Sequence, residues 1–324
     1  MPISLIMTVR NEAASLPGLL DSILRGTRLP DEIVIVDGGS TDGTQAVAQS
    51  YSDRPAIRLI ERPGANISEG RNAAITAARH DIIASTDAGV RLDPRWLELL
   101  TAPLLSPAST VDVVSGWFMA DPQTPFESAM GATVLPAPED IDPNTFLPSS
   151  RSVAFRKSAW EAVGGYPEWL DYSEDLVFDI ALRNAGKQFV FAPGAVAHFR
   201  PRSTLRAFYL QYYRYARGDG KANLWPKRHA ARYVTYTLGP VFAAWSLAHR
   251  NSLPGKVGLL LLVLAALAYC RRPYARLLPA LRGLPTTSVL YTLALVPVIR
   301  LTGDIAKMLG YPAGVLWRLT RKRK

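Results

Sequence analysis

Cysteine is almost absent from the 324-residue sequence, in which Cys270 is the only one. A single cysteine cannot form an internal disulfide, so a small secreted domain held together by disulfides is excluded. The start of the chain lacks the basic flank and the small-residue cleavage site of a signal peptide, and we expect it to form a strand. The length suffices for one large domain or two smaller ones with a substantial core.

Two phosphate-binding motifs are also missing, because neither Gly-x-Gly-x-x-Gly nor a Walker loop occurs in the sequence. These motifs wrap backbone amides around phosphate groups, and their absence argues against a dinucleotide-binding or P-loop protein. The glycine-rich loop at 38–43 is too short and wrongly spaced for either motif. From its residues alone it is either a tight turn that caps the next helix or part of a binding site.

Acidic residues are scarce in the last part of the chain. Residues 200–324 hold 22 Lys and Arg but only 2 Asp and Glu, which leaves 15 basic and 25 acidic residues in 1–199 out of the totals of 37 and 27. The two balances, +20 and −10, sum to the net charge of +10. The basic residues border long uncharged segments instead of covering a polar face. We therefore expect a membrane partner and no nucleic acid.

Three hydrophobic segments are candidates for membrane helices. A core helix of a soluble protein is the alternative for any one of them, but three close together favour insertion. Arg300, Asp304 and Lys307 favour partial exposure of the third segment, as a hairpin, a re-entrant segment or a surface helix. We predict two spans, near 233–250 and 253–270, and an uncertain third segment at 286–317.

The predicted organisation follows from this pattern of charge and hydropathy. We expect a domain at 1–202, an amphipathic interfacial helix and linker at 203–232, and a membrane region at 233–324. The positive-inside tendency predicts a multi-pass protein of the plasma (inner) membrane whose first domain is cytosolic.

The first part of the chain alternates between short apolar strands and helices. This alternation predicts an α/β fold with a mostly parallel sheet and right-handed crossovers. Ser68 is predicted to cap the third helix. The predicted strands are 3–9, 32–37, 57–60 and 82–85, and the predicted helices are 15–25, an alanine-rich helix after 44, and 68–80.

Acidic residues follow three of the predicted strands. Glu12 comes after the first strand, Asp37 ends the second, and Asp87 follows the fourth. The carboxyl ends of parallel strands meet at one edge of the sheet, which is where α/β proteins bind ligands. We expect these carboxylates to gather there. The alternative for Asp87 is an ordinary connection between a strand and a helix.

Five sequence elements, in this order and spacing, resemble the family 2 glycosyltransferases, which are nucleotide-sugar enzymes with the GT-A fold. The resemblance covers about residues 3–220, and its most specific parts are the Asp37 loop and the Glu174-Asp175 pair. The elements are Thr8-Val9-Arg10-Asn11-Glu12, Val36 to Thr44, Gly70-Arg71-Asn72, Thr86-Asp87, and Gly164-Gly165-Tyr166 followed by Glu174-Asp175.

The resemblance implies a nucleotide site at the edge of the sheet. Asp37 would accept hydrogen bonds from the base, which leaves UDP- and GDP-sugar donors both open, and Arg71 would face the diphosphate. The residues implied to line the nucleoside pocket are Thr8, Asn11 and Glu12.

A divalent cation, Mn²⁺ or Mg²⁺, is also implied by the resemblance. Asp87 matches the first acid of the family's Asp-x-Asp metal motif, but the second position is Gly89. His198 lies where some relatives supply a metal-binding histidine, and an imidazole suits Mn²⁺ better than Mg²⁺. The alternative for His198 is a packed or capping residue.

Glu174 and Asp175 stand at the start of a predicted helix. Acids there are stabilised by the helix dipole without any catalytic role, by about 0.3–1 kcal/mol. In the family, the aspartate of this pair is the general base that takes a proton from the acceptor hydroxyl during a single inverting displacement. We predict that role for Asp175, with Glu174 beside it, and expect the helix N-terminus to keep Asp175 ionised.

An aromatic and basic helix is predicted in the interfacial segment. Gln211, Arg214 and Tyr215 are similar to the Gln-x-x-Arg-Trp element of membrane polysaccharide synthases, with Tyr in place of Trp. The resemblance places them beside the acceptor. A simple interfacial anchor is the alternative.

Taken together, these features predict a metal-dependent enzyme of cell-envelope polysaccharide synthesis. It would transfer a sugar, with inversion, from a nucleotide-sugar donor to a lipid-linked or membrane-associated saccharide at the cytosolic membrane face. The alternatives are a polymerising polysaccharide synthase and a nucleotide-binding membrane scaffold without transferase activity.

Overall fold

Two compact units make up the chain in a computed structural model that describes residues 1–51, 56–106 and 108–321. The first unit consists of Met1–Asp121 and Pro138–Arg200, and the second of Pro122–Ala137 and Pro201–Lys324. The expected domain at 1–202 is continuous in sequence. The first unit is not, because residues 122–137 belong with the C-terminal helices. Most of the basic cluster at 321–324 lies outside the described residues.

A mixed eight-stranded sheet forms the first unit. The strands are β1 (Ile3–Val9), β2 (Glu32–Asp37), β3 (Ile57–Glu61), β4 (Ile82–Ser85), β5 (Val90–Leu92), β6 (Val113–Ala120), β7 (Val153–Arg156) and β8 (Phe189–Phe199). Their order across the sheet is β3-β2-β1-β4-β7-β6-β8-β5. The β1–β2, β2–β3, β1–β4 and β6–β8 pairs are parallel, whereas β7 runs antiparallel to both of its neighbours and β5 antiparallel to β8.

Alternation along β1 divides the core of this unit. Ile3, Leu5 and Met7 belong to one cluster of buried side chains, whereas Ile6 belongs to another. Successive side chains of a strand point to opposite faces of a sheet, so both faces of β1 are covered. This explains why the central strands are nearly continuous apolar runs in the sequence.

The described residues of the first unit contain six α-helices: α1 (Leu16–Leu24), α2 (Thr44–Ser50), α3 (Ile67–Ala77), α4 (Trp96–Leu105), α6 (Lys157–Ala162) and α7 (Glu174–Asn184). The prediction that Ser68 caps α3 is wrong. Asn66 is the cap: its side chain accepts from the Glu69 amide while the Glu69 carboxylate accepts from the Asn66 amide, and this reciprocal box satisfies two free donors at once. Ser68 lies in the first turn and is buried.

In the part of the second unit that the structure describes, the α-helices are α5 (Pro125–Val134), α8 (Leu205–Ala222), α9 (Pro226–Ala248), α10 (Leu253–Leu277) and α11 (Thr286–Thr320). Among the described residues, two helical stretches are long and apolar enough to cross a membrane, Leu253–Leu281 and Thr286–Thr320. The first contains the predicted span near 253–270. The second contains the third hydrophobic segment at 286–317, for which the sequence did not decide between a span and a surface helix. The predicted span near 233–250 lies in α9 and is not one of the two.

Glycines let α8 and α11 pack backbone against backbone. A Cβ atom on Gly310 would lie 2.2 Å from the Tyr213 carbonyl oxygen, and one on Gly314 would lie 2.0 Å from that of Arg217. Helices approach this closely only where small residues recur on one face, as in the Gly-x-x-x-Gly spacing of 310 and 314. The helix α8 thus packs closely against the part of α11 around Gly310 and Gly314.

Replacing Gly314 by Ala should therefore destabilise the helical unit by about 1–3 kcal/mol, the usual cost of overpacking. The new methyl group would meet main-chain atoms, which cannot move aside as a side chain can. Gly239→Ala in α9 is the matched control, because nothing lies within 4 Å of its Cβ position. Thermal unfolding in detergent should show a lower midpoint for Gly314→Ala than for the wild type. The midpoint of the Gly239→Ala control should not be lowered. Equal midpoints would contradict the packing described here.

Candidate active site

The carboxyl ends of β1, β2 and β4 lie side by side in the first unit. In the parallel register Val9 pairs with Asp37 and Ile6 pairs with Ser85. The Thr86 amide then donates to the Ile6 carbonyl oxygen. The loops that follow these three strands therefore leave from one edge of the sheet, as their sequence positions predict.

Asp37 is fully buried at the end of β2. Its Oδ1 accepts hydrogen bonds from the Gly39 amide (3.0 Å), the Ser40 amide (2.8 Å) and the Ser40 hydroxyl (2.8 Å). Burial raises the pKa of this carboxyl, but the bonds from Ser40 and Gly39, together with the Gln45 side chain, outweigh burial and leave the pKa below its ordinary value. Its Oδ2 is buried and makes no hydrogen bond within the described residues. Three hydrogen bonds thus hold Oδ1 of the carboxylate in place, while Oδ2 can still accept a hydrogen bond.

The loops after β1 and β2 are tied together by polar contacts. Asn11, whose backbone is left-handed with φ of 57°, accepts a hydrogen bond from the Thr41 amide at 2.8 Å. The Glu12 amide donates to the Thr44 hydroxyl at 2.8 Å. These bonds fix Asn11 and Glu12 beside the Asp37 loop. Thr8 lies against α3, where a Cβ on Gly70 would come within 2.6 Å of its methyl group.

Arg71 on α3 joins acids from two other elements. Its Nη2 donates to Asp87 Oδ1 at 2.8 Å and its Nη1 donates to Glu174 Oε1 at 2.7 Å. The Arg71 side chain is only 3% exposed and lies over the Tyr166 ring, 5.3 Å from its centroid. The Asp87 side chain remains 24% exposed against 10% for Glu174. Asp87 is therefore the acid that a ligand reaches more easily.

Asp175 occupies the first turn of α7, where its Oδ1 accepts from the Leu176 amide at 2.9 Å. We expected the helix N-terminus to keep this carboxyl ionised, but the structure gives a different balance. Burial raises the pKa of Asp175 above its ordinary value, although Arg71 and Arg151 pull it down. A higher pKa makes a carboxylate a stronger proton acceptor, which is what general-base chemistry requires.

Glu174, the residue before Asp175, also has a raised pKa. Burial and the neighbouring Asp175 charge raise its pKa to about 7, although Arg71 opposes them. The folded protein therefore holds this proton more tightly than the unfolded chain, in which an ordinary glutamate has a pKa near 4.3. Its stabilising contribution is complete below about pH 4.3 and is lost as the pH rises through about 7.

Glu174→Gln, which cannot ionise, should remove this pH dependence. Between pH 5 and 8 we expect the unfolding midpoint of the wild-type protein to fall relative to that of the variant, by roughly 2–4 °C for each kcal/mol lost. Thermal unfolding at a series of pH values measures the difference. Two parallel curves would show that the Glu174 carboxyl is not perturbed as described.

Three further residues belong to this cluster: Arg151 and Asp179, which no sequence element singled out, and Tyr166, whose contact with Arg71 was not predicted. Arg151 Nε lies 3.7 Å from Asp87 Oδ2, and the Tyr166 ring supports Arg71. Asp179, one helical turn after Asp175, is buried, and burial raises its pKa well above the ordinary value. The four-residue spacing of Asp175 and Asp179 was a readable signal of a shared helix face. Nothing local to Arg151 pointed to Asp87.

Gly89 takes the place of the second acid of the metal motif, with a left-handed φ of 79° that an aspartate adopts less easily. A Cβ atom added to Gly89 would lie 3.9 Å from the Glu12 carboxylate. Within the described part of the chain, no three His, Cys, Asp or Glu side chains are arranged to hold an ion by themselves. Proteins commonly hold Mg²⁺ with one or two carboxylates and the phosphates of a substrate, and the accessible Asp87 fits that manner of binding.

His198 lies on β8 next to Arg91 of β5, and its Nε2 is 2.7 Å from Asp93 Oδ1. This bond occupies one ring nitrogen, so only Nδ1 is left for a metal ion. Its role as a ligand stays a prediction. Gln211, Arg214 and Tyr215 lie on α8 of the second unit, where Gln211 Nε2 donates to the Tyr215 hydroxyl at 2.8 Å. Their role beside an acceptor also stays a prediction.

Known structures share this architecture. The chain resembles PcManGT, a mannosyltransferase from Pyrobaculum calidifontis solved in complex with GDP-Man and Mn²⁺, with a TM-score of 0.57 and 20% identity over 99% of this chain and 88% of that one. At this identity the likeness establishes the fold, which is of the GT-A type.

Two family models match overlapping parts of the sequence. Glycosyl transferase family 2 matches residues 4–160, and Glycosyl transferase family group 2 matches 143–301. Together they include the sheet edge, the Arg71 cluster and most of the C-terminal helices. The chain belongs to the family 2 glycosyltransferases.

Curated relatives agree with this assignment. Validoxylamine A glucosyltransferase of Streptomyces hygroscopicus subsp. limoneus is 31% identical over 38% of this chain and 28% of its own length. Succinoglycan biosynthesis protein ExoA of Rhizobium meliloti is 25% identical over 67% of this chain and 68% of its own. The matched region thus spans little more than a quarter of the first relative and about two thirds of the second.

Proposed function

We propose that the chain transfers a sugar, with inversion, from a nucleotide-sugar donor to a saccharide acceptor carried by a membrane lipid. The observation that carries the proposal is the Arg71 cluster, in which Arg71 of α3, Asp87 after β4 and the adjacent pair Glu174 and Asp175 of α7 come together. A displacement at an anomeric carbon needs a base for the incoming hydroxyl and positive charge near the departing diphosphate. This cluster contains both.

Donor binding begins at the Asp37 loop. The unpaired Oδ2 of Asp37 would accept an N–H of the base, while Thr8, Asn11 and Glu12 line the nucleoside. Uracil and guanine both offer such N–H groups, and PcManGT binds GDP-Man, so UDP- and GDP-sugars are the donors to test. Arg71 would lie towards the diphosphate while it holds Asp87 and Glu174 in place.

Asp87 would hold a divalent cation, Mn²⁺ or Mg²⁺, whose bound charge offsets that of the departing diphosphate. Support comes from the exposure of Asp87 and from the Mn²⁺ of PcManGT. The protein residues do the rest. Asp175 takes the proton of the acceptor hydroxyl as its oxygen attacks the anomeric carbon on the face opposite the leaving group, so the configuration inverts.

The acceptor side rests on the second unit. Two helices suited to a membrane, and relatives such as ExoA named for polysaccharide biosynthesis, support a membrane-associated enzyme that acts at the cytosolic face of the plasma membrane on a lipid-linked saccharide. Gln211, Arg214 and Tyr215 are proposed to border that acceptor. The described residues contain two candidate spans. A polymerising synthase with its own export channel would be expected to have more, so we propose transfer to a lipid-linked saccharide instead.

A nucleotide-binding scaffold is the second candidate, because Gly89 replaces an acid and no three-ligand cluster is found in the described residues. Calorimetry with UDP and GDP, with and without Mn²⁺, and a donor-hydrolysis assay separate the two. Transferase function predicts binding of one nucleotide that Mn²⁺ strengthens, and slow hydrolysis of its sugar conjugate. Asp37→Asn should weaken binding, whereas Glu161→Gln, an exposed acid on α6, should not. Binding without metal dependence or hydrolysis would favour the scaffold.

A further inference from the structure

Three ionisable residues lie on one face of α11, at a place where the helix is otherwise apolar. Arg300, Asp304 and Lys307 are four and three residues apart, which aligns them along the helix. They fall inside the candidate span Thr286–Thr320, whose most apolar window has a mean hydropathy of 1.5. Ionisable groups are costly in such a helix, and where they occur they commonly belong to functional sites.

Asp304 is fully engaged by neighbouring helices of the same unit. Its Oδ1 accepts from Arg232 Nε at 2.8 Å, and its Oδ2 accepts from the Tyr236 hydroxyl at 3.0 Å and from the Tyr269 hydroxyl. Arg232 balances its charge. The hydrogen bonds of this carboxylate thus go to Arg232, Tyr236 and Tyr269, and within the described residues it forms no ion pair with Arg300 or Lys307.

Arg300 and Lys307 each lie against an aromatic ring, and Asp304 and Asp219 attract Lys307 without forming an ion pair with it. The Arg300 guanidinium lies 4.0 Å from the centroid of the Tyr269 ring, and Lys307 Nζ lies 5.0 Å from that of Tyr212. Neither cation forms an ion pair within the described residues, and Arg300 Nε is buried without a hydrogen bond there. Ring faces attract cations but supply no compensating negative charge.

These cations line a cavity of about 140 Å³ inside the second unit. Tyr212, Tyr269 and Asp304 complete its polar side, and Phe208 and Ile299 are among the apolar residues of its wall. The volume admits a phosphate-sized group. The combination of two cations and an apolar wall suits a molecule with an anionic head and a hydrocarbon chain.

We propose that this cavity binds the phosphate or diphosphate head of an anionic lipid, with Arg300 and Lys307 as its hydrogen-bond donors. Guanidinium and ammonium groups form short, charge-assisted hydrogen bonds with phosphate oxygens. The identification of this lipid as the carrier of the acceptor saccharide rests on the proposed function. The binding of the lipid head does not.

Binding of farnesyl diphosphate to the full chain in detergent, followed by microscale thermophoresis, tests the site. Arg300→Gln and Lys307→Gln should each weaken binding by at least about tenfold, and Lys307→Arg should restore most of it. Lys256→Gln, an exposed lysine at the start of α10, should bind like the wild type. If both glutamine variants keep wild-type affinity, the proposal is overturned.

Two further probes distinguish the sources of the anion. Farnesol, which has the chain without the charge, should bind at least about tenfold more weakly than farnesyl diphosphate, and so should inorganic pyrophosphate. Equal affinity for farnesol would reject the anion site, and equal affinity for pyrophosphate would identify a free phosphate as the ligand and reject the lipid. Calorimetry with UDP and GDP on the same samples checks that each variant is folded. It also shows whether the nucleotide site fails independently of this one.

Discussion

Asp175→Asn should reduce sugar transfer by at least about a hundredfold, within the usual contribution of a general base of 10²–10⁴-fold, or roughly 2.7–5.5 kcal/mol of activation free energy. Asparagine has nearly the same shape as aspartate but cannot take a proton. The raised pKa of Asp175, which follows from its burial, is the property that this substitution removes.

The fold should survive this change. The asparagine oxygen can still accept from the Leu176 amide, which Asp175 does now at 2.9 Å. Because the pKa of the native carboxyl is raised, folding disfavours its ionised form relative to the unfolded chain, and a neutral side chain should not cost stability. A loss of activity in this variant would therefore reflect chemistry and not unfolding.

Initial rates with a radiolabelled donor, together with calorimetry of nucleotide binding, measure both quantities on one sample. We expect nucleotide affinity within a few-fold of the wild type while turnover collapses. Asp81→Asn, an exposed acid of the same unit, is the control and should leave both unchanged. Turnover close to that of the wild type in Asp175→Asn would eliminate the base assignment.

The parallel part of the sheet could be predicted because each strand carries its own signal. Ile3–Val9, Glu32–Asp37 and Ile82–Ser85 have the predicted bounds, since each is an apolar run that ends at a polar or acidic residue. A strand buried on both faces needs no partner to be recognised. The acids that follow these strands share one edge for the same reason: parallel strands end together.

Long-range pairing was not predictable from local signals. Arg71 and Glu174 are 103 residues apart, and the sequence around either residue contains no signal that the two are in contact. Ser68 and Asn66 are both good helix caps by residue type, and the choice of Asn66 depends on the reciprocal bond with Glu69. The segment 122–137 has little periodicity, so its place among the C-terminal helices had no sequence signal.

The third hydrophobic segment was uncertain because it contains charges and prolines. Pro297 and Pro312 lie inside α11, yet the helix runs without a break from Thr286 to Thr320. Prolines are tolerated in membrane helices where neighbouring helices satisfy the freed backbone groups. The carbonyl oxygens four residues before these prolines, those of Leu293 and Met308, accept hydrogen bonds from the Tyr274 hydroxyl of α10 and the Tyr233 hydroxyl of α9. Asp304 is paired with Arg232, and Arg300 and Lys307 line a cavity. The sequence alone does not show these surroundings.

Arg71→Met should have the second large effect, because it removes the buried cation shared by Asp87 and Glu174. Breaking a buried ion pair by deleting one partner commonly costs about 3–5 kcal/mol, since the other charge is left without compensation. We expect a lower unfolding midpoint and loss of donor binding. Arg71→Lys should recover only part of both, because an ammonium group cannot reach two carboxylates as a planar guanidinium does.

The pH dependence of Arg71→Met distinguishes this explanation from simple misfolding. Without the arginine, the pKa of Glu174 should rise further above about 7, because the cation that now opposes burial is gone. The acids would then be protonated in the folded state at low pH, and the stability deficit should shrink as the pH falls from 8 to 5. The double variant Arg71→Met/Glu174→Gln, which has one buried charge fewer, should unfold at a higher temperature than Arg71→Met alone at pH 8. A deficit that is constant with pH, or a double variant no more stable than the single one, would mean that Arg71 acts through packing on Tyr166 and not through charge.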